Sequence, residues 1–538
     1  MMLRRAARLP AHRLLLSMFL AVALTAPAHA EDTPVVKFRV DRFLVEGDNP
    51  IGAQAAEGVL AQYAGDYEGV DGLLAAADAL EQALAEKGFV YHRVVLPPQK
   101  LNEGAVTLQI RELKIGKVSV TGNTYSSEDQ VRGTVRALRP GQTPNALEVD
   151  RALEFANRHP TRVTRLKMKE SETPDAIDAE LAVEEQRPWR FFGVLNNIGT
   201  EDTGRLRMTA GAQHTNLWHR DHQAVVTYTM APDSFDDVLQ VGFQYQMPLY
   251  WDSSTLSVFY VHSDVQIINL GAAAAGVAGG GIDLAGAGDF VGVTFAHRML
   301  NIGRYSHGWS ISLQDKLFNN EFPLNAPNND HRVRSRPVVV QYDGSFRTER
   351  TRSTFYLGFS KNVTNGAFNN DRRYVESPRS GATADWESFR FGGTFNYRLP
   401  LDYTARVLFD AQYADQALIA GEQFGAGGVE SVRGFAEREI AGDSGYRGAV
   451  ELWSPPLPYV PGLRALAFMD LGHKWSRNIG PGEVTQDTIS SIGAGLRWNW
   501  KDHVGFNLDY GHSLADVTPV GQPTRGSVKW HFTLFAKF

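Results

Sequence analysis

The 538-residue chain contains no cysteine, so neither a disulfide framework nor a thiolate metal site is open to it. After residue 30 no uninterrupted apolar run approaches the length of roughly eighteen residues that a membrane-crossing helix requires. Basic residues are the minority, 54 Lys and Arg against 60 Asp and Glu. Four of those arginines stand within the first thirteen residues, which leaves 50 basic against 60 acidic groups in the remainder, a net charge of about −10 by formal counting. That balance disfavours nucleic acid as a partner. The Gly/Ala run between Asn269 and Gly288 is followed by no Lys-Ser/Thr, so it is not a phosphate cradle. His214, His219 and His222 cluster in sequence, but they straddle a strand end and a short turn with no fourth ligand, which argues against a metal centre. No nucleophile elbow, carboxylate pair or zinc spacing emerges. No enzyme, no metal, no cofactor and no small-molecule substrate is expected.

What is present begins with a leader. Arg4, Arg5, Arg8 and Arg13 precede an apolar run from Leu14 to Leu24, and Ala28-His29-Ala30 supplies a small-x-small cleavage site. Residues 1–30 read as a secretory signal cut after Ala30, followed by a short segment over 31–35. An exported chain with 51 glycines and 11% aromatic residues suits an outer-membrane barrel.

From Val36 to Glu184 the pattern is mixed. Phe38–Val45 alternates as a strand, and Gln54–Tyr63 and Leu73–Lys87 have helical spacing, the second ending at Gly88. Phe89–Leu96 and Val106–Glu112 read as strands. The order β-α-α-β-β then recurs, with strands at Ile115–Thr121, Thr161–Lys169 and Ala176–Glu184. Its helices follow Ser127 and Pro144. Two copies of one supersecondary order make an internal repeat. We place the modules at 36–113 and 114–186. A three-stranded sheet under two helices leaves one strand edge open to an added polypeptide strand. In the second module that edge is expected on Thr161–Lys169, with Val163, Leu166 and Met168.

Residues 187–538 alternate with period two. Val528, Trp530, Phe532, Leu534, Ala536 and Phe538 share one face, with Lys529, His531, Thr533 and Lys537 on the other. A membrane barrel alternates lipid-facing and lumen-facing positions in this way. Sixteen antiparallel strands are expected, beginning with 189–198 and ending with 445–453, 464–470, 489–499, 504–512 and 527–538, and no helix among them. Short turns such as 218–221 alternate with long external connections (264–289, 318–336, 363–386, 413–444 and 471–488), as in barrels with one wet rim on each side.

The connection 413–444, the sixth external loop in chain order, is too long and Gly-rich for a strand turn. Within it, glycines at 427, 428 and 434 flank Val432-Arg433 and let the backbone fold back tightly. Arg433 is then thrust toward a partner. Asp470, a lone carboxylate in the apolar strand Ala467-Phe468-Met469-Asp470-Leu471-Gly472, is the expected one, because a charge inside a closed barrel is paired or wet.

The first module resembles a POTRA module of the secretion-pore variety in Gly88-Phe89-Val90-Tyr91 and Pro98-Gln99-x-Leu101-x-x-Gly104, and the second in Val118-Ser119-Val120-Thr121-Gly122-Asn123. With Val432-Arg433-Gly434-Phe435 and Phe468-x-Asp470-x-Gly472, the mature chain resembles the TpsB transporters of two-partner secretion. The resemblance implies that the long loop folds into the barrel, its tip (Val432, Arg433, Gly434, Phe435) meeting a wall motif (Phe468, Asp470, Gly472). It also implies an outer-membrane pore with periplasmic modules that capture an unfolded exoprotein by its amino-terminal region. The rival from another class is an assembly factor that inserts other barrels; such chains more often carry three or five POTRA modules.

Overall fold

The computed structural model describes residues 37–538, except 101–103, 202, 236–237, 266, 269–283, 320–331, 378, 380, 481–483, 502 and 518–524. The leader, the 31–35 segment and most of the Gly/Ala run lie outside the described residues.

In the first module β2 (Arg42–Glu46) pairs in parallel with β5 (Ala105–Glu112), and β4 (His92–Val95) lies antiparallel on the other side of β5. Helices α1 (Ala53–Leu60) and α2 (Asp71–Glu86) cover that sheet. α2 buries Leu73, Ala76, Ala77, Leu80 and Leu84, one apolar stripe at helical spacing, with Leu80 and Leu84 against Leu108 and Ile110. The β-α-α-β-β reading needs one correction here. Asp41 interrupts the first strand, so that β1 (Lys37–Val40) leaves the sheet and pairs with an additional strand, β3 (Gly65–Glu68), between the helices. Gly-Asp-Tyr-Glu is short and polar, and gives little strand signal alone.

The second module repeats the plan more closely. β6 (Lys114–Thr121) pairs in parallel with β8 (Ala176–Glu185), and β7 (Arg162–Glu170) lies antiparallel at the edge of the sheet. Helix α3 (Glu128–Thr134) starts where the Ser127 hydroxyl accepts the Gln130 N–H. α4 (Ala146–Ala156) starts where Asn145 Oδ1 accepts from Leu147 and Glu148. Each satisfies an otherwise orphaned donor of a first helical turn.

The rest closes into a barrel, from Trp189–Asn196 round to Val528–Lys537, which pair with Thr533 opposite Asn196. Sixteen antiparallel strands make the wall among the described residues, counting Val333–Ser335 and Pro337–Arg347 as one strand interrupted at Arg336. Two features depart from expectation. Leu463–Trp475 runs five residues past position 470, shortening the following connection. A five-residue helix, Asp371–Val375, stands in the connection over 363–386, capped by Asn370. With other connections at that end it packs a buried apolar cluster that includes Phe290, Phe318, Tyr374, Trp386, Leu418 and Ile419.

At the opposite end the second module is fastened to the barrel by a buried polar cluster. Asp221, in the first short turn at a positive φ of 60°, accepts from Arg162 Nη1 at 2.8 Å, from Arg162 Nη2, and from Tyr250 Oη at 2.8 Å. His159 Nε2 lies 2.8 Å from the Thr215 carbonyl oxygen. Burial raises the Asp221 pKa, but the hydrogen bonds and charge of Arg162, with His159 and Tyr250, outweigh it and hold the carboxyl below its usual range. Burial, reinforced by Arg162, lowers His159. A second clasp joins Glu154 of α4 to Ser306 (2.6 Å), Asn301 (2.7 Å) and Arg298 (3.3 Å) of the barrel.

Candidate functional site

The long connection over 413–444 turns into the barrel instead of away from it. Its two arms pair briefly, Phe424–Ala426 against Ile440–Gly442. Gly427 and Gly428 reverse the chain at φ of 118° and 101°, values a side chain would strain. The turn is held from within, Ser431 Oγ accepting the Gly427 N–H at 3.1 Å and a Glu437 carboxylate oxygen accepting the Val429 N–H at 2.7 Å. The connection is pinned nearer its ends by two buried ion pairs, Lys316–Glu422 at 3.1 Å and Arg379–Asp443 at 2.9 Å.

The wall that receives the tip is the strand Leu463–Trp475. Period-two alternation points Leu466, Phe468, Asp470, Gly472 and Lys474 to the buried side, and Ala467, Met469 and Leu471 away from it. Arg433 meets this face along its whole side chain. Its Nε donates to Asp470 Oδ2 at 2.8 Å and its Nη2 to Asp470 Oδ1 at 2.7 Å, a bidentate fork. The Arg433 backbone N–H adds a third bond to Oδ2 at 3.0 Å. The guanidinium carbon lies 3.5 Å from the centre of the Phe468 ring. Arg433 is 3% exposed and Asp470 0%, so water cannot replace these partners.

Four residues, Glu451, Asp509, Arg497 and Arg406, complete the charge balance without having been singled out from sequence. Arg433 Nη1 lies 2.8 Å from Glu451 Oε1 and 3.6 Å from Asp509 Oδ1. Arg497 pairs with Asp509 at 2.9 Å and Arg406 with Glu451 at 3.4 Å. Three arginines therefore face three carboxylates, and no buried charge is left unmatched within the group, the condition under which such charges are tolerated. Glu451, like Asp470, is a lone carboxylate on an apolar strand, and Asp509 stands at an inward position of its own. The signal was present; their convergence depends on barrel closure.

The remaining tip residues are anchored by shape. Val432 and Phe435, both 0% exposed, pack with Ala426, Ile440 and Ile489. A Cβ on Gly472 would lie 2.7 Å from the Ala426 Cβ and 3.0 Å from Val432 Cγ2, so this glycine leaves the room the tip needs. Gly434, at φ 96°, donates its N–H to His531 Nε2 at 3.1 Å on the last strand. The tip thus reaches from the strand Leu463–Trp475 to the last strand, Val528–Lys537.

The expected edge is only partly as read. β7 is an edge strand, with Leu166 and Met168 packed toward the helices, but Val163 lies on the opposite sheet face, 43% exposed. An odd step separates it from the other two, and alternation puts it across the sheet. Beside Leu166 lies a groove of about 530 Å³ between α4 and β7, floored by Leu138, Val149 and Leu153. The three clustered histidines do not converge: His214 packs edge-on to Trp189, and His222 Nδ1 lies 2.5 Å from Tyr245 Oη.

Comparison with known proteins agrees with this architecture. Residues 333–498 match the family model described as haemolysin secretion/activation protein ShlB/FhaC/HecB, and residues 38–112 match the POTRA domain of ShlB type. The outer membrane transporter CdiB-2 of Burkholderia pseudomallei is 26% identical over 199 residues, 34% of this chain and 33% of that protein. The outer membrane transporter CdiB of Dickeya dadantii is 22% identical over 459 residues, 81% of this chain and 76% of its own length. Among solved structures, CdiB from Escherichia coli superposes with a TM-score of 0.78 at 17% identity, covering 95% of this chain and 93% of that one. BamA from Haemophilus ducreyi lacking POTRA domains 1–3 gives a TM-score of 0.50 at 16% identity, with 93% and 100% covered. Both likenesses are of fold.

Proposed function

The chain belongs to the haemolysin secretion/activation family of ShlB/FhaC/HecB type, the TpsB transporters of two-partner secretion, and on that premise we propose that it carries one partner exoprotein from periplasm to cell surface. It is an outer-membrane pore with its POTRA modules in the periplasm. The observation that carries the reading is the seating of Val432-Arg433-Gly434-Phe435 on Phe468, Asp470 and Gly472 inside a closed barrel.

The modules, over 36–113 and 114–186, receive the partner's amino-terminal region while it is unfolded. The half of β7 beyond Arg165 offers a free strand edge, with Leu166 and Met168 and the adjoining groove for apolar side chains. Val163, on the other face, is not part of that groove. The chain then enters the barrel over 187–538 beside the inserted loop. The loop's tip contacts hold the wall and seat the loop between transport events, while its buried ion pairs keep its base in register. Folding of the partner outside the cell is the driving force. No catalytic role is proposed.

Co-expression with a candidate exoprotein tests this. The partner should reach the surface only when this chain is present, with other outer-membrane proteins at unchanged levels. A general fall in those proteins on depletion would point instead to an assembly factor.

A further inference from the structure

We propose that the first module carries a binding site for a divalent transition-metal ion of the zinc class, built from Asp48, His92 and Glu112 at its junction with the second module. One ring nitrogen of His92 and one carboxylate oxygen each of Asp48 and Glu112 lie within 4.8 Å of one another. Among the described residues this is the group of three His or carboxylate side chains so disposed.

The backbone explains how they meet. His92 and Glu112 are directly opposed in the β4–β5 ladder, so their side chains leave the sheet on the same face. Gly47, at φ 95°, turns the chain after β2 so closely over β5 that a Cβ there would lie 2.3 Å from the Ile110 carbonyl oxygen. That turn hangs Asp48 over the end of the ladder.

A second observation is independent of the clustering. His92 is only 2% exposed, and its Nδ1 makes no hydrogen bond of ordinary geometry, although the ring interacts with the Phe89 backbone carbonyl. Buried polar atoms are nearly always paired, and one left without a well-formed bond asks for a ligand. Imidazole nitrogen with two carboxylates is a donor set for a borderline divalent metal, with water as fourth ligand. Bonds of about 2.0–2.1 Å place tetrahedral ligands roughly 3.4 Å apart, so the exposed Asp48 must swing inward. Lys114 Nζ now holds Glu112 Oε1 at 2.9 Å, but it is half exposed and such a surface pair yields easily.

The site reaches into the second module. Thr143 Oγ1 donates to Glu112 Oε2 at 2.7 Å, leaving Oε1 for a metal and orienting the carboxylate from outside the ligand set. Nearby, Ala146 N–H donates to the Gly88 carbonyl at 2.8 Å, and Asn145 Nδ2 to the Lys87 carbonyl at 2.9 Å. An ion held by Asp48, His92 and Glu112 therefore stiffens the angle between modules as well as the end of the first sheet.

The test is Zn²⁺ titration of the purified full-length protein in detergent, carried on a histidine-free tag, with Co²⁺ absorption reporting ligand type. Wild type should bind one equivalent more Zn²⁺ than Asp48→Asn, whose exposed position spares the fold. Glu112→Gln should weaken that equivalent at least about tenfold, and Thr143→Ala, a positioning residue, by about 10-fold as for other outer-shell partners. Equal stoichiometry and affinity in wild type, Asp48→Asn and Glu112→Gln would overturn the proposal, as would the absence of any micromolar equivalent in wild type.

Discussion

Gly434 and Gly511 face each other with no side chain between them: a Cβ on Gly511 would lie 2.4 Å from the Gly434 nitrogen, and one on Gly434 would lie 3.2 Å from the Gly511 carbonyl carbon. The loop tip and the barrel wall are in backbone contact there. Gly511→Ala should therefore lift the tip off the wall without touching a charge, at the cost of overpacking, about 1–3 kcal/mol. The chain has no cysteine, so a single Val432→Cys reports cleanly. Its thiol should resist labelling in the parent and label readily with Gly511→Ala.

Arg433 is held by a fork on Asp470, a contact to Glu451 and the Phe468 ring at once. Arg433→Ala leaves Asp470, Glu451 and Asp509 sharing Arg406 and Arg497. Removing one member of a buried charge group costs about 3–5 kcal/mol, so the tip should unseat more fully than with Gly511→Ala. Arg433→Lys keeps the charge but loses the planar fork and stacking and should fall between. The same thiol at position 432 ranks the three.

Acid should loosen the second module from the barrel. His159, which faces Arg162, Asp221 and Glu185, has its pKa lowered by burial and by Arg162. The undocked or unfolded state then binds more protons than the docked one below about pH 6.5, so docking weakens as pH falls through that value. Asp221 has a lowered pKa too, and its contribution, present above its free value near 3.8, is lost at still lower pH. Distances between spin labels on the module and the barrel should broaden first near pH 6. His159→Gln should remove that step and keep the lower one.

The proposed capture of the partner at β7 predicts different outcomes on its two faces. Leu166→Asp charges the groove beside α4 and should reduce export with the barrel still inserted. Val163→Asp, on the opposite face and already exposed, should leave export near the parent level. Export and heat-modifiable migration, measured together, check both.

How much of this was legible depended on the range of the interaction. Asp470 stands out in the sequence as a lone carboxylate in an apolar strand, and the resemblance supplies Phe468 and Gly472; period-two alternation then puts all three on one face. Val163 is grouped in the sequence reading with Leu166 and Met168 on one edge strand, but its odd spacing from both puts it on the other face of the sheet. Glu451, Asp509 and His531 stood at inward positions, but which of them meet depends on the stagger of the closed barrel, which no single strand encodes. Asp221 looked like an ordinary turn residue; only docking of Arg162 and Tyr250 makes it a buried anchor. Leu463–Trp475 seemed to end at Asp470 because Gly472 and Lys474 resemble loop residues. The strand continues since Lys474 finds buried partners, Ser476 Oγ among them at 3.0 Å.

The central claim is that a partner chain passes through this barrel, and site-specific photo-crosslinking tests it most directly. In the strand Pro337–Arg347, Gln341 points inward and donates to Asp343 at 2.8 Å, whereas its neighbour Val340 faces outward and is 45% exposed. With a partner stalled during export, a photoreactive side chain at position 341 should crosslink to it and one at position 340 should not. Equal crosslinking from both positions, or none from 341 while export continues, would contradict passage through the lumen.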